Sequence, residues 1–222
     1  MAMTKECCGV ERVEDVEVVL DEMLRVVHAS FDAFVAPDFS EEGKANFRAH
    51  ATRDEMLTRK DTHDWFVARD PITKELAAVV EVRERRHVSK FFTHPSHQRK
   101  GYGRALMQAA FELCAEHARQ QRQRKQATAL EQQAQSHKTD AARAATTPTT
   151  VKEADKEGQS GRLGHNEEDD CLCLSSAQVT HVTVCSSPYA VQVYSRLGFV
   201  ATDEEQTEHG MRFVPMQATL EL

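Results

Sequence analysis

The segment Gln98-Arg-Lys-Gly-Tyr-Gly103 carries residues suited to holding an anion. Two glycines one residue apart leave backbone N–H groups uncovered by Cβ atoms, so phosphate oxygens can approach the chain closely. Arg99, Lys100 and Arg104 add positive charge at the same place. If the turn opens into a helix, the unpaired N–H groups and the positive dipole end of that helix favour the same ligand. A glycine pair alone is equally consistent with a turn that binds nothing. The neighbouring residues exclude two nucleotide patterns. Position 106 is Leu where a dinucleotide-binding Gly-x-Gly-x-x-Gly needs its third glycine, and no Gly-Lys-Ser/Thr follows at P-loop spacing.

The flanking sequence supplies the elements that must position this turn. Val88-Ser-Lys-Phe-Phe-Thr93 is rich in β-branched and aromatic residues and reads as a strand, and Pro95 biases His94 away from helical angles. Arg104-Ala-Leu-Met-Gln-Ala-Ala-Phe-Glu-Leu113 reads as a helix, which places Gly101 and Gly103 at its start. Upstream, Val16, Val19, Leu20, Met23, Val26, Val27, Phe31 and Phe34 recur at helical spacing, so residues 14 to 35 are expected to form an amphipathic helix. Ser40 before Glu41 and Glu42 opens a second helix, and Arg53 to Arg59 a short third one. Trp65 to Ala68 and Leu76 to Val82, joined by Asp70-Pro-Ile-Thr-Lys74, read as a hairpin, and His87 to His94 continues its sheet.

With these elements in place, Gln98 to Gly103 resembles the Gln/Arg-x-x-Gly-x-Gly/Ala signature of the GNAT superfamily of N-acetyltransferases. A second segment, Val182-Thr-Val-Cys-Ser-Ser-Pro-Tyr-Ala-Val-Gln-Val-Tyr-Ser-Arg-Leu-Gly-Phe199, is similar to that family's next strand and helix. Gly210 to Met216 is similar to the closing strand of small bacterial-type members, and Phe34 to Phe39 to their first helix exit. The resemblance implies an α/β fold with a mixed, mostly antiparallel sheet flanked by helices, whose splayed parallel strand pair binds acetyl-CoA. It implies a single N-acetyltransferase domain over residues 1–222, moving an acetyl group to a primary amine by direct attack. A small molecule or a peptide fits as the acceptor, and the resemblance is compatible with a homodimer.

The resemblance also distributes roles. The loop Gln98, Arg99, Lys100, Gly101, Tyr102, Gly103 and Arg104 would hold the pyrophosphate, while Phe91, Phe92 and Thr93 would pair with the pantetheine arm and polarise the thioester carbonyl through backbone N–H groups. Tyr194 occupies the position of the family's general acid, and a phenol with a reference pKa of about 10 is protonated at neutral pH. Ala190, Tyr194 and Leu197 also share a helical face, which is the packing alternative. For the base, Glu81 lies in an otherwise apolar strand and His87 begins the cofactor strand; either one, or an ordered water, could take the amine proton. Cys185 stands where relatives often carry Asn, so it is a weaker hydrogen-bonding contact to the cofactor. That departure, with the insertion described next, keeps a catalytically degenerate acyl-CoA-binding or protein-interaction domain as the rival reading. The first strand is poorly marked, because Cys7-Cys-Gly-Val-Glu-Arg-Val13 hardly alternates.

From 118 to 177 the apolar pattern fails, into Gln/Arg-rich sequence, then Thr146-Thr-Pro-Thr-Thr150, then an acidic stretch. This reads as a low-complexity insertion in the single domain, helical to about Gln135 and disordered beyond. It follows the helix at the end remote from the glycine turn, about 20 Å away at 1.5 Å per residue, so the cofactor site is expected to be undisturbed. The 222-residue chain carries a net charge of −7, which argues against nucleic acid as its partner, as does the lack of stacking aromatics among Arg119, Arg122, Arg124 and Lys125. No apolar run approaches the ~18 residues of a membrane span, and the N-terminus lacks a signal pattern, so a cytoplasmic location is expected. The six cysteines show no secreted framework, and Cys171-x-Cys173 near His165 lacks the spacing of a zinc knuckle; no metal is expected.

Overall fold

The computed structural model describes residues 9–144 and 178–222. An interior strand of its sheet is the hairpin's second arm, β3 (Leu76–Arg83), in which Leu76 to Val82 are all buried. A continuous apolar run of this kind needs cover on both faces, and helices supply it. On one face α1 (Val16–Ser30) packs Leu20, Met23 and Val27 against Trp65, Val67 and Val79. Each large side chain so buried contributes about 1.5–3 kcal/mol. The other face takes α4 (Tyr102–Ala144), with Leu106, Met107 and Ala110 packed on Val80, Val82, Val88 and Val182.

The helix starts follow the sequence signals. Asp15 caps α1 by accepting from the Glu17 N–H, Ser40 caps α2 (Glu41–His50) at Gly43, and Thr52 caps α3 (Arg53–Thr58) at Glu55. The first helix does not run uniformly to 35. After Ser30 the backbone widens into a π-helical turn, Phe31–Val35, followed by a 3₁₀ turn, Ala36–Asp38. Pro37 removes a helical N–H and helps end the element there.

In the sheet β1 (Val10–Arg12), β2 (His63–Arg69), β3, β4 (His87–Thr93), β5 (Val179–Ser186), β8 (Met211–Glu221) and β6 (Val200–Ala201) lie side by side in that order. A short β7 (Gln206–Glu208) pairs with β8, and α5 (Val191–Arg196) precedes β6. The weakly marked first strand forms as a three-residue edge, Val10 to Arg12 pairing with Ala68 to Phe66. All neighbours are antiparallel except β4 and β5. This parallel pair is registered only at His87 with Thr183 and Val88 with Val184, after which the strands part although each continues. The expected mostly antiparallel sheet with a splayed parallel pair is therefore the fold.

The residues divide into two units, Met1–Arg119 with Gln178–Leu222, and Gln120–Ala177. The sheet and its two cores belong to the first. α4 enters the second and continues to Ala144, nine residues past the expected end at Gln135. Between Arg104 and Pro148 the chain contains neither Gly nor Pro and is rich in Ala, Gln, Arg and Lys. Low complexity removed the apolar pattern there without removing helix propensity. Most of the rest of the expected insertion lies outside the described residues.

Candidate functional site

The gap that opens between β4 and β5 becomes a cavity of about 620 Å³. Its wall runs from the loop after β4, along the parted strands, to the π-helical turn and the β7–β8 hairpin. At the cofactor end the chain leaves Thr93 through a 3₁₀ turn, Pro95–His97, and enters α4 at Tyr102. Arg99 (φ 61°) and Gly101 (φ 94°) hold left-handed backbone. The value at Gly101 lies beyond the range that L residues adopt readily, so glycine is needed there.

Gly103 has a different reason. It sits inside the first turn of the helix, and a Cβ on it would stand 3.1 Å from Phe91 Cζ and 3.5 Å from Thr93 Oγ1. Its missing side chain lets the helix start lie against β4, and Gly103 also lines the cavity. The helix also begins at Tyr102 and not at Arg104.

The loop is tied to the β2–β3 turn. The Tyr102 hydroxyl donates to Asp70 Oδ2 at 2.9 Å in a buried position, and the other Asp70 oxygen accepts the Ile72 and Thr73 N–H groups at 3.0 and 3.1 Å. Those two backbone bonds, then Tyr102, hold the Asp70 carboxyl at about 2, well below its ordinary 3.8. Lys100 Nζ lies 4.0 Å from Asp70 and 3.4 Å from His97 Nδ1. Gln98, Arg99, Gly101, Tyr102, Gly103 and Arg104 line the cavity; Lys100, turned toward this anchor, does not. A role for its ammonium in direct contact with the cofactor is therefore not what the geometry offers.

Phe91, Phe92, Thr93 and Cys185 all line the cavity, as does Tyr194 on α5. Tyr194 is 6% exposed, with its ring 5.7 Å from Phe91 and 5.3 Å from Phe199. Burial, reinforced by the nearby Cys185, pushes its phenol far above the ordinary value, so the hydroxyl keeps its proton. Packing and cavity access are thus both realised in one side chain. Burial also raises the Cys185 thiol, with Arg83 opposing and the Glu208 charge adding to the rise.

The two base candidates lie elsewhere. Glu81 is completely buried on β3, bound by Lys90 at 2.7 Å, Arg59 at 3.1 Å and His63 at 3.6 Å. A carboxylate so enclosed is stable only because cations surround it. Lys90, which does line the cavity, stands beside it; burial lowers the Lys90 ammonium and Glu81 raises it. His87 sits where β4 and β5 are still paired, its Nδ1 2.9 Å from Thr183 Oγ1, and burial lowers its pKa. Neither Glu81 nor His87 lines the cavity.

Sequence reasoning found no diagnostic cluster in the helices between 14 and 60 or in the final strands, yet the fold makes an aromatic one at the other end of the cavity. Phe34 stacks on Tyr189 with centroids 5.1 Å apart, Phe47 meets Phe92 edge-on at 5.9 Å, and Phe39, Met211 and Phe213 complete the wall. These residues come from five separate segments, so no spacing in the chain could have announced them. Among the described residues no group of three His, Cys, Asp or Glu is placed to hold a metal, and no helix is long and apolar enough to cross a membrane. Cys171, Cys173 and His165 lie outside the described residues.

Comparisons with known proteins agree with this geometry. The model of the acetyltransferase (GNAT) domain matches residues 35–139 and 149–220. Among solved structures, the GCN5-related N-acetyltransferase from Rhodopseudomonas palustris superposes with a TM-score of 0.61 at 12% identity, covering 99% of this chain and 98% of its own. The PaiA N-acetyltransferase from Thermoplasma acidophilum, solved in complex with coenzyme A, gives 0.56 at 11% identity, covering 96% and 99%. At these identities the likeness speaks for the fold. No curated protein matches the sequence. The family match extends over most of the chain and includes the loop, the parted strands and α5, and on it the chain belongs to the GNAT acetyltransferase family.

Proposed function

We propose that this protein transfers an acetyl group from acetyl-CoA to a primary amine by direct attack. The observation that carries this reading is the parting of β4 and β5 beyond Val88 and Val184, beside the left-handed turn at Gly101 and with Tyr194 in the same cavity wall. Alternate N–H groups of a strand that has lost its neighbour point into the gap, so Ser89 to Thr93 can pair with an amide-bearing arm and polarise a thioester carbonyl. Arg99, Gly103 and Arg104 then lie where a pyrophosphate would end. The fit supports acetyl-CoA as the donor, and the PaiA relative carries coenzyme A.

In the transfer, the amine nitrogen forms its bond to the acetyl carbon while the carbon–sulfur bond breaks. Tyr194 gives its proton to the departing thiolate and recovers one from solvent. Burial keeps its phenol protonated at neutral pH, the form an acid must start from. The amine must first lose a proton, and the enclosed Glu81 and the strand-paired His87 are poorly placed to take it directly. Residues 118–177 are an insertion into this single acetyltransferase domain.

Calorimetry with acetyl-CoA, followed by thiol release against a panel of amines, tests the reading. Binding and turnover are expected. No binding overturns it, and binding without turnover on any amine transfers support to the degenerate acyl-CoA-binding domain.

A further inference from the structure

The acceptor end of the cavity has a definite chemistry. Its surface is aromatic, built from Phe34 on Tyr189, Phe47 on Phe92, and Phe213. Its charges are unequal. Lys90, Arg99, Arg104, Arg196 and Arg212 line the cavity, whereas among the described residues Glu208 is the one lining carboxylate. Two of the cations are already matched, Lys90 by Glu81 at 2.7 Å and Arg212 by Glu205 at 2.6 Å. Among the described residues Glu208 has no Lys or Arg partner within 4 Å; its neighbour is the adjacent imidazole of His209, at 3.8 Å.

The backbone that carries Glu208 is held in place, while its side chain is 69% exposed. Glu208 ends β7 just before the turn at His209 (φ 49°) and Gly210 (φ 74°), and that turn is clamped by α2. Ser40 Oγ donates to Gly210 O at 3.2 Å, Asn46 Nδ2 donates to His209 O at 2.9 Å, and Gly43 lies so close that a Cβ on it would overlap Gly210 O. Glu208 lines the same cavity as Cys185 and Tyr194, the side chain assigned as the acid.

Resting on acetyl transfer as the reaction, we propose that the acceptor is a monoamine carried on an aromatic or bulky apolar body, with Glu208 receiving its ammonium and the Phe34–Tyr189 and Phe47 walls receiving the body. One carboxylate satisfies one ammonium. A second or third ammonium would leave water for a cavity wall that offers no further carboxylate among the described residues, so its desolvation is not offset. Polyamines and aminoglycoside-type polycations are therefore poor acceptors. Glu208 is also the carboxylate best placed to take the amine proton, at the mouth where solvent removes it.

The test compares 2-phenylethylamine with spermidine and kanamycin on the full chain, by thiol release from acetyl-CoA and by calorimetry of each amine in the presence of CoA. 2-Phenylethylamine is expected to exceed both polycations in kcat/KM by about 100-fold or more. Glu208→Gln should raise its KM by about 10- to 100-fold, the loss of a charge-assisted hydrogen bond, and leave acetyl-CoA affinity unchanged. Tyr189→Ala, at a half-exposed position, should raise KM for 2-phenylethylamine and not for ethylamine. Equal or better use of the polycations, or an unchanged KM in Glu208→Gln, overturns the proposal while acetyl transfer stands. Absence of acetyl-CoA binding overturns acetyl transfer itself and this proposal with it. If acetyl-CoA binds without turnover, calorimetry still decides: no preference for 2-phenylethylamine over spermidine overturns the assignment.

Discussion

Gly101→Ala isolates the contribution of the pyrophosphate turn. At φ 94° an added Cβ imposes strain of about 1–3 kcal/mol if the loop keeps its shape. The loop lies at the surface and can relax instead, in which case the strain reappears as lost cofactor affinity. At 1.4 kcal/mol per factor of ten, the expected loss is about 5- to 140-fold in the Kd for CoA. Calorimetric titration with CoA and with pantetheine, which has no pyrophosphate, separates local from general damage: the first should weaken and the second should not. Gly198→Ala serves as the control, because Gly198 has nearly the same φ, 96°, with nothing within 4 Å of an added Cβ, and it does not line the cavity. It should cost a similar amount of folding stability and leave CoA binding intact. Unchanged CoA affinity in Gly101→Ala, or an equal loss for pantetheine, refutes the assignment of this turn to the pyrophosphate.

Three further outcomes follow from the same geometry. Tyr194→Phe should lower kcat by about 10²- to 10⁴-fold with little change in acetyl-CoA affinity, and equal turnover in single-turnover kinetics would remove Tyr194 as the acid. The Asp70 carboxyl is held at about 2 when folded against 3.8 ordinarily, so the unfolded chain takes up the proton first; stability from this group is complete above about pH 4 and is lost as pH falls toward 2. Denaturant titrations should show Asp70→Asn less stable than wild type at pH 6 and losing less than wild type between pH 4 and 2. Deleting residues 136–170 should leave the Kd for acetyl-CoA unchanged, and a large loss would overturn the view of the insertion as remote.

The chain announced those parts of the fold whose determinants are local. The 3.6-residue recurrence from Val16 to Phe31, the capping residues Ser40 and Thr52, and the β-branched runs at Leu76 to Val82 and Val88 to Thr93 each carry their own structural signal. The Gly101 turn belongs with them, since a strand, a glycine with a positive φ and a helix are consecutive in sequence. Low complexity after Arg119 misled in one respect, because the absence of apolar periodicity says nothing against a helix made of Ala, Gln and Arg.

Tertiary structure alone decided the rest. Glu81 in its apolar strand looks like an available base until β2, β4 and α3 bring His63, Lys90 and Arg59 around it, because burial of a charge is a property of its neighbours and not of its spacing. Lys100 differs from Arg99 and Arg104 only because Asp70, from a distant turn, draws it away. The aromatic wall of the cavity joins Phe34, Phe47, Tyr189 and Phe213, with Glu208 beside them, from separate segments, and the packing of α2 on the β7–β8 turn fixes where the Glu208 backbone stands. The sequence by itself determined the glycine turn at one end of the cavity, because its strand, glycine and helix are consecutive. The aromatic wall at the other end is set by contacts between residues far apart in the chain, and these exist only once the sheet and helices have assembled.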